Sequence, residues 1–143
     1  MKSCELVVAL DVARRSEALA LADDLGEAVT WVKVGKQLFT RCGPEVVRQL
    51  KRRGKKVFLD LKFHDIPNTV AAAVASAAET GADMVNVHAG GGPAMLTAAA
   101  KSGKENSIMT VGVTVLTSMD KEQLGAVGVV SSVQEQVVRL AKL

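Results

Sequence analysis

Five short apolar runs recur along the chain at intervals that leave room for a helix between each pair, and this spacing limits the fold more than any other feature. The runs are ELVVALDV (5–12), TWVKVG (30–35), KVFLDLK (56–62), DMVNVHA (83–89) and IMTVGVTVL (108–116). Each is rich in Val, Leu or Ile on both faces, as parallel strands covered on both sides are, and lacks the polar alternation of a solvent-facing sheet. Segments of helical period lie between them. Ser16 is placed to cap a first helix, with Ala18, Leu21, Ala22 and Leu25 on one face and Gly26 as its stop. Pro44 opens a second, which carries Val46, Val47 and Leu50 inward and ends at Gly54. Pro67 opens a third, whose Val70, Ala73, Val74, Ala77 and Ala78 form a narrow stripe suited to close packing on a sheet. A fourth starts near Pro93 with Leu96, Ala99 and Ala100 inward. The last begins at the capping-box pattern Ser132 to Glu135, with Val133, Val137, Leu140 and Ala141 at helical spacing.

The order βαβαβαβαβα predicts one continuous α/β domain over residues 1–143, with short connections and no linker. Doubly wound sheets and (β/α)8 barrels both fit this order. Glycines 90 to 92 follow a strand without forming GxGxxG, so they predict a tight turn and give a dinucleotide site little support.

A chain of 143 residues can bury one core without a disulfide or a structural metal. Cys4 and Cys42 stand far apart, in no metal-ligand spacing, which suggests unpaired thiols in a reducing compartment. No apolar stretch is long enough to span a bilayer, and MKSCELVVALD reaches a charge before a signal-peptide core could form. The expectation is a cytoplasmic protein with no membrane partner. Trp31, Phe39, Phe58 and Phe63 are the only aromatic residues, too few for single-stranded nucleic acid to stack on. The net charge of +3 hides a cluster: Arg48, Lys51, Arg52, Arg53, Lys55 and Lys56 supply six positive charges, and outside them 12 basic residues face 15 acidic ones. That run reads as a solvated helix end, with cations at the negative pole of the helix dipole, rather than as a nucleic-acid surface.

Charges interrupt four of the apolar runs at or near their C-terminal ends. Asp11 closes the first, Lys33 sits between Val32 and Val34 in the second, Asp60 and Lys62 end the third, and His88 ends the fourth. Residues two apart on a strand share a face, so Asp60 and Lys62 point the same way, and Asp65 follows at the turn into the next helix. The C-terminal ends of parallel strands are where α/β proteins build their sites. Burying several ions costs several kcal/mol each, so opposed charges in one layer are a poor route to stability alone. An alternating order Lys33, Asp60, Lys62, Asp65 would hold both lysines charged and fixed. Such a row suits a reaction in which a carboxylate leaves and a proton takes its place.

The run FLDLKFHDIPNTV (58–70) resembles the DxKxxD signature of the orotidine 5′-phosphate decarboxylases, with HDIPNT in the bacterial form. VVALD, VKVGKQLF, VNVHAGGG (86–92) and VTVLTSM (113–119) are similar to that family in order and spacing. The resemblance implies a (β/α)8 TIM barrel, here cut to about five βα units. It also implies cofactor-free conversion of orotidine 5′-phosphate to uridine 5′-phosphate in a homodimer with sites at the subunit interface. By matching position, Lys62 is the proton donor, Asp60 lies beside the substrate carboxylate, Lys33 bonds the ribose and holds Asp60, and Asp11 binds a ribose hydroxyl. Asp65, Ile66 and Thr69 match the segment that reaches into the partner's site, and Thr117 a contact near the pyrimidine.

Metal-dependent sugar-phosphate decarboxylases of the same superfamily share DxKxxD. In them a magnesium ion sits at a similar place, which would recruit His64 and His88 with Asp60 and Asp65; HDIPNT favours the metal-free branch. His88 otherwise reads as a hydrogen-bonded strand-end residue. Barrels of this kind typically need about 250 residues. The family's phosphate-gripping loops after strands seven and eight have no counterpart in these 143 residues. The alternative is therefore an inactive or partner-dependent barrel fragment.

Overall fold

The structure, a computed structural model, describes residues 4–143. Its sheet has five parallel strands: β1 (Val7–Ala9), β2 (Trp31–Gly35), β3 (Lys56–Phe63), β4 (Met84–His88) and β5 (Met109–Val113). They are hydrogen-bonded in the order β1-β2-β3-β4-β5. Each crossover therefore advances by one strand in the same direction, which is how a β/α barrel winds. A doubly wound sheet would reverse its order at a switch point.

The helices are α1 (Arg15–Asp24), α2 (Lys36–Cys42), α3 (Glu45–Arg52), α4 (Pro67–Glu79), α5 (Gly92–Glu105), α6 (Lys121–Ala126) and α7 (Val133–Ala141). Two of them, α2 and α6, escape the sequence reading. Each is at most two turns long and buries one residue, Leu38 or Leu124, so neither displays a periodic face. Ser16 does not cap α1. The helix starts two residues earlier than such a cap would set it, at Arg15 with Arg14 as N-cap, and the Glu17 carboxylate accepts the Arg14 N–H at 3.3 Å. In α5 the buried face is Met95, Ala99, Ser102 and Gly103, rotated from the expected Leu96, Ala99 and Ala100; Ala100 is exposed. Ser102 turns inward because its hydroxyl donates to the Ala71 carbonyl of α4 at 2.7 Å. The box at Ser132 and Glu135 forms as expected: the Glu135 carboxylate accepts the Ser132 N–H at 2.9 Å, and the Ser132 hydroxyl accepts the Glu135 N–H at 3.3 Å.

Alternation along the strands sorts residues to two faces. Val32, Val34, Val57, Leu59, Val85 and Val87 point to the helices and form the core with Val46, Leu50, Val70 and Val74. Lys33, Phe58, Asp60, Asn86 and His88 point to the other face. At the sheet's edges the apolar cover thins: Val7 of β1 is 40% exposed and Met109 of β5 is 54% exposed.

The basic run is not simply solvated. Lys51 donates to both Asp83 oxygens at 2.7 and 2.6 Å, Arg52 pairs with Glu45, Arg53 with Asp23, and Lys56 lies over the Trp31 ring. Lys55 is buried and donates to the carbonyls of Gly26 and Val29. These cations knit helices and loops together around the N-terminal ends of β2 to β4, opposite the end where Asp60 and Lys62 lie. Cys4 is exposed and Cys42 half-buried, and both are free thiols. No helix among the described residues is long and apolar enough to cross a membrane.

Candidate active site

At the C-terminal end of the sheet, four charged side chains, from the segment just after β1 and from β2 and β3, form a continuous row. Lys33 Nζ lies 3.7 Å from Asp11 Oδ1 and 3.0 Å from Asp60 Oδ2, and Lys62 Nζ lies 2.5 Å from Asp60 Oδ1. The register explains the meeting of Lys33 with Asp60. Gly35 of β2 pairs with Asp60 of β3, so Lys33 reaches forward along its strand. Gly35 lies beside the row: a Cβ there would make ordinary contact with Asp11 Oδ1 at 3.7 Å and Lys33 Nζ at 3.9 Å.

Lys62 reaches the row from an irregular backbone. Leu59 pairs with Val85 and Phe63 with Val87, so four steps along β3 match two along β4. Within this bulge Lys62 has φ 53°, the left-handed region that costs a non-glycine residue about 1–3 kcal/mol. A side chain of β4 offsets that cost. Asn86 Oδ1 accepts the Lys62 N–H at 2.7 Å, and Asn86 Nδ2 donates to Asp60 Oδ1 at 2.7 Å. The sequence reading missed Asn86. Its signal was a lone amide inside the apolar run DMVNVHA.

Asp60 is buried, and burial by itself pushes its carboxyl up; hydrogen bonds from Lys62, Asn86 and Lys33 outweigh this and hold it down to about 2. The carboxylate is thus ionised across the neutral range, flanked by two ammonium groups. Asp11, Lys33, Asp60 and Lys62 all line one cleft of about 220 Å³, together with Leu10, Val12 and the start of α2. A larger cleft of about 460 Å³ between α5, β5 and α7 carries no ionisable side chain in its lining.

Asp65 stands apart from the row. Its carboxylate accepts the Ile66 N–H at 2.7 Å, and Asp65, Ile66 and Thr69 are all exposed beside the start of α4. Within one chain the alternation is therefore Asp11, Lys33, Asp60, Lys62, and not the expected Lys33, Asp60, Lys62, Asp65. The turn after β3 carries Asp65 past the strand end, beyond the face that holds the lysines. Thr117 is exposed in the turn that follows β5.

His88 ends β4, but among the described residues its side chain makes no hydrogen bond. Its ring meets that of His64 at 5.3 Å between centroids. Burial, then the nearby His64, Lys36 and Lys62, push the His88 imidazole below its usual range. Among the described residues no three His, Cys, Asp or Glu side chains gather as metal ligands would. The glycines after β4 do form a tight turn, Ala89–Gly91, with Gly92 at φ 83° opening α5.

Parallel strands wound in one direction, with a fixed ammonium and carboxylate row at their C-terminal ends, define a β/α-barrel protein with a charged site at the barrel mouth. Residues 5–143 match the family described as Orotidine 5'-phosphate decarboxylase / HUMPS, and the chain belongs to that family. An orotidine 5'-phosphate decarboxylase of Aliivibrio salmonicida (strain LFI1238) is 50% identical over 147 aligned positions, covering all of this chain and 62% of that relative. The chain thus spans less than two thirds of the relative's length. Among solved structures, orotidine 5'-phosphate decarboxylase from Lactobacillus acidophilus superposes with TM-score 0.88 at 35% identity, over 98% of this chain and 66% of that one. The orotidine 5'-monophosphate decarboxylase of Methanocaldococcus jannaschii complexed with inhibitor BMP gives 0.79 at 29% identity, over 96% and 61%. The fold is five βα units of a TIM barrel.

Proposed function

We propose that this chain supplies the chemical half of an orotidine 5′-phosphate decarboxylase, acting in the cytoplasm as a homodimer and without a cofactor. The observation that carries the reading is the Asp11–Lys33–Asp60–Lys62 row, in which a carboxylate held at about 2 sits between two ammonium groups. Family membership and a structural neighbour complexed with the inhibitor BMP support a nucleotide-like ligand.

In this reading the bond from the pyrimidine ring carbon to the substrate carboxylate breaks, carbon dioxide leaves, and the electron pair stays on the ring carbon. With no cofactor to delocalise it, that carbanion needs charge already in position. The Lys62 ammonium provides it and then transfers a proton to the same carbon; solvent reprotonates the amine. Asp60 lies beside the departing carboxylate and fixes both lysines. Lys33 and Asp11 bind the ribose. Asp65, Ile66 and Thr69, exposed at the start of α4, reach into the partner subunit's site, and Thr117 lies near the pyrimidine.

The test follows the loss of orotidine 5′-phosphate absorbance by this chain, alone and with the C-terminal part of the Aliivibrio relative supplied as a second chain, each with and without EDTA. EDTA-insensitive turnover that Lys62→Ala abolishes, in at least one arm, is the expected result. EDTA-sensitive turnover of a sugar phosphate overturns the reading, as does a complete absence of turnover from folded protein in every arm.

A further inference from the structure

We propose that Asn86 is a positioning residue, which locks the Asp60 carboxylate and the irregular backbone at Lys62 into one rigid unit. Asn86 is 3% exposed, in the middle of β4 between the core residues Val85 and Val87. A buried amide is costly unless both its ends are bonded. Both ends are bonded here, to two residues inside the bulge of the neighbouring strand.

The two bonds perform separate tasks. In a regular parallel ladder the Lys62 N–H would be taken by a β4 carbonyl, but the bulge carries it away from that ladder, and Asn86 Oδ1 replaces the carbonyl at 2.7 Å. The donated bond from Nδ2 fixes Asp60 Oδ1 at 2.7 Å, the same oxygen that faces the Lys62 ammonium. Asp60 Oδ2 is left for Lys33 at 3.0 Å. Both carboxylate oxygens are thereby assigned, and the ring of contacts closes from Asp60 through Asn86 to the backbone that presents Lys62. The orientation of the amide follows from its partners. A flipped amide would set a donor against the Lys62 N–H and an acceptor against the carboxylate. Among side chains of this length only Asn offers one donor and one acceptor on a planar group. An ionised Asp lacks the donor, Leu lacks both, and Gln is a methylene too long for so tight a site.

The catalytic consequence rests on the decarboxylase reading above; the structural one does not. Carbon-detected NMR titration of Asp60, and hydrogen exchange of the Lys62 amide, test it on the full chain without any need for turnover. Asn86→Ala is expected to raise the Asp60 midpoint by about one pH unit and to speed Lys62 amide exchange at least tenfold. Asn86→Asp, nearly isosteric, keeps an acceptor for the Lys62 N–H but removes the donor to Asp60. It should leave the Lys62 amide protected while Asp60 and the introduced carboxylate titrate as a coupled pair with a raised upper midpoint. Where the chain takes part in turnover, Asn86→Ala lowers kcat more than it raises KM, because the bonds it removes orient charge and do not hold substrate. An Asp60 midpoint and a Lys62 exchange rate unchanged from wild type in folded variants overturn the proposal. Asn86→Asp decides alone if Asn86→Ala does not fold.

Discussion

Replacing Asp60 by Asn should remove a specific part of the protein's acid sensitivity. In the folded chain burial disfavours the charged carboxylate, yet bonds from Lys62, Asn86 and Lys33 bring its pKa from 3.8 to about 2. A group that titrates lower when folded than when unfolded stabilises the fold above its unfolded pKa, and that stabilisation drains away as pH falls through the folded value. The shift corresponds to about 2 kcal/mol at neutral pH, and about half of it should be gone by pH ~3. Urea unfolding followed by the fluorescence of Trp31, the only tryptophan, gives the stability of wild type and Asp60→Asn at steps from pH 6 to pH ~3. Every other carboxylate is common to the two proteins, so the difference between them isolates this residue. At pH 6 the variant should be the less stable, because two ammonium groups then face each other without the charge between them. The gap should narrow by about 1 kcal/mol on reaching pH ~3. A gap that stays flat over this range would refute the account of Asp60 as the ionised centre of the row.

Two further expectations concern the scaffold. A Cβ at Gly103 of α5 would lie 2.3 Å from Thr110 Oγ1 and 3.0 Å from the Ile108 carbonyl oxygen. Gly103→Ala should therefore lower stability despite the better helix propensity of Ala, with overpacking of about 1–3 kcal/mol set against a gain of about 1 kcal/mol; a raised Tm would contradict this. Asp83 accepts two bonds from Lys51 and one from the Val57 N–H at 2.7 Å, whereas the Arg52–Glu45 pair lies in solvent. Asp83→Ala should cost about 2 kcal/mol in chemical denaturation, and Arg52→Ala well under about 1 kcal/mol. Equal costs would show that burial does not separate the two pairs.

The row was legible because polar residues at the ends of apolar strands break a strong pattern. Lys33 between two valines, and Asp60 with Lys62 after FL, have no reason to lie in a sheet covered on both faces unless they meet one another. Ser16 and the face of α5 were misread for a common reason. Caps and helix rotation depend on which neighbour offers a partner, as Ala71 does for Ser102. Asn86 was invisible because one amide in an apolar run has no meaning until its opposite strand is known.

Local pattern by itself determined the number of βα units, the positions of the strands to within a few residues and the charged residues that had to find partners. Those features follow from period and composition, which act between near neighbours in the chain. Strand order, the bulge at Lys62, the bonds from Asn86 and the separation of Asp65 from the row were decided by tertiary structure alone. The first three depend on register between segments some twenty or more residues apart, where a displacement of one residue turns a side chain to the opposite face, and the last on the turn that carries Asp65 past the end of β3.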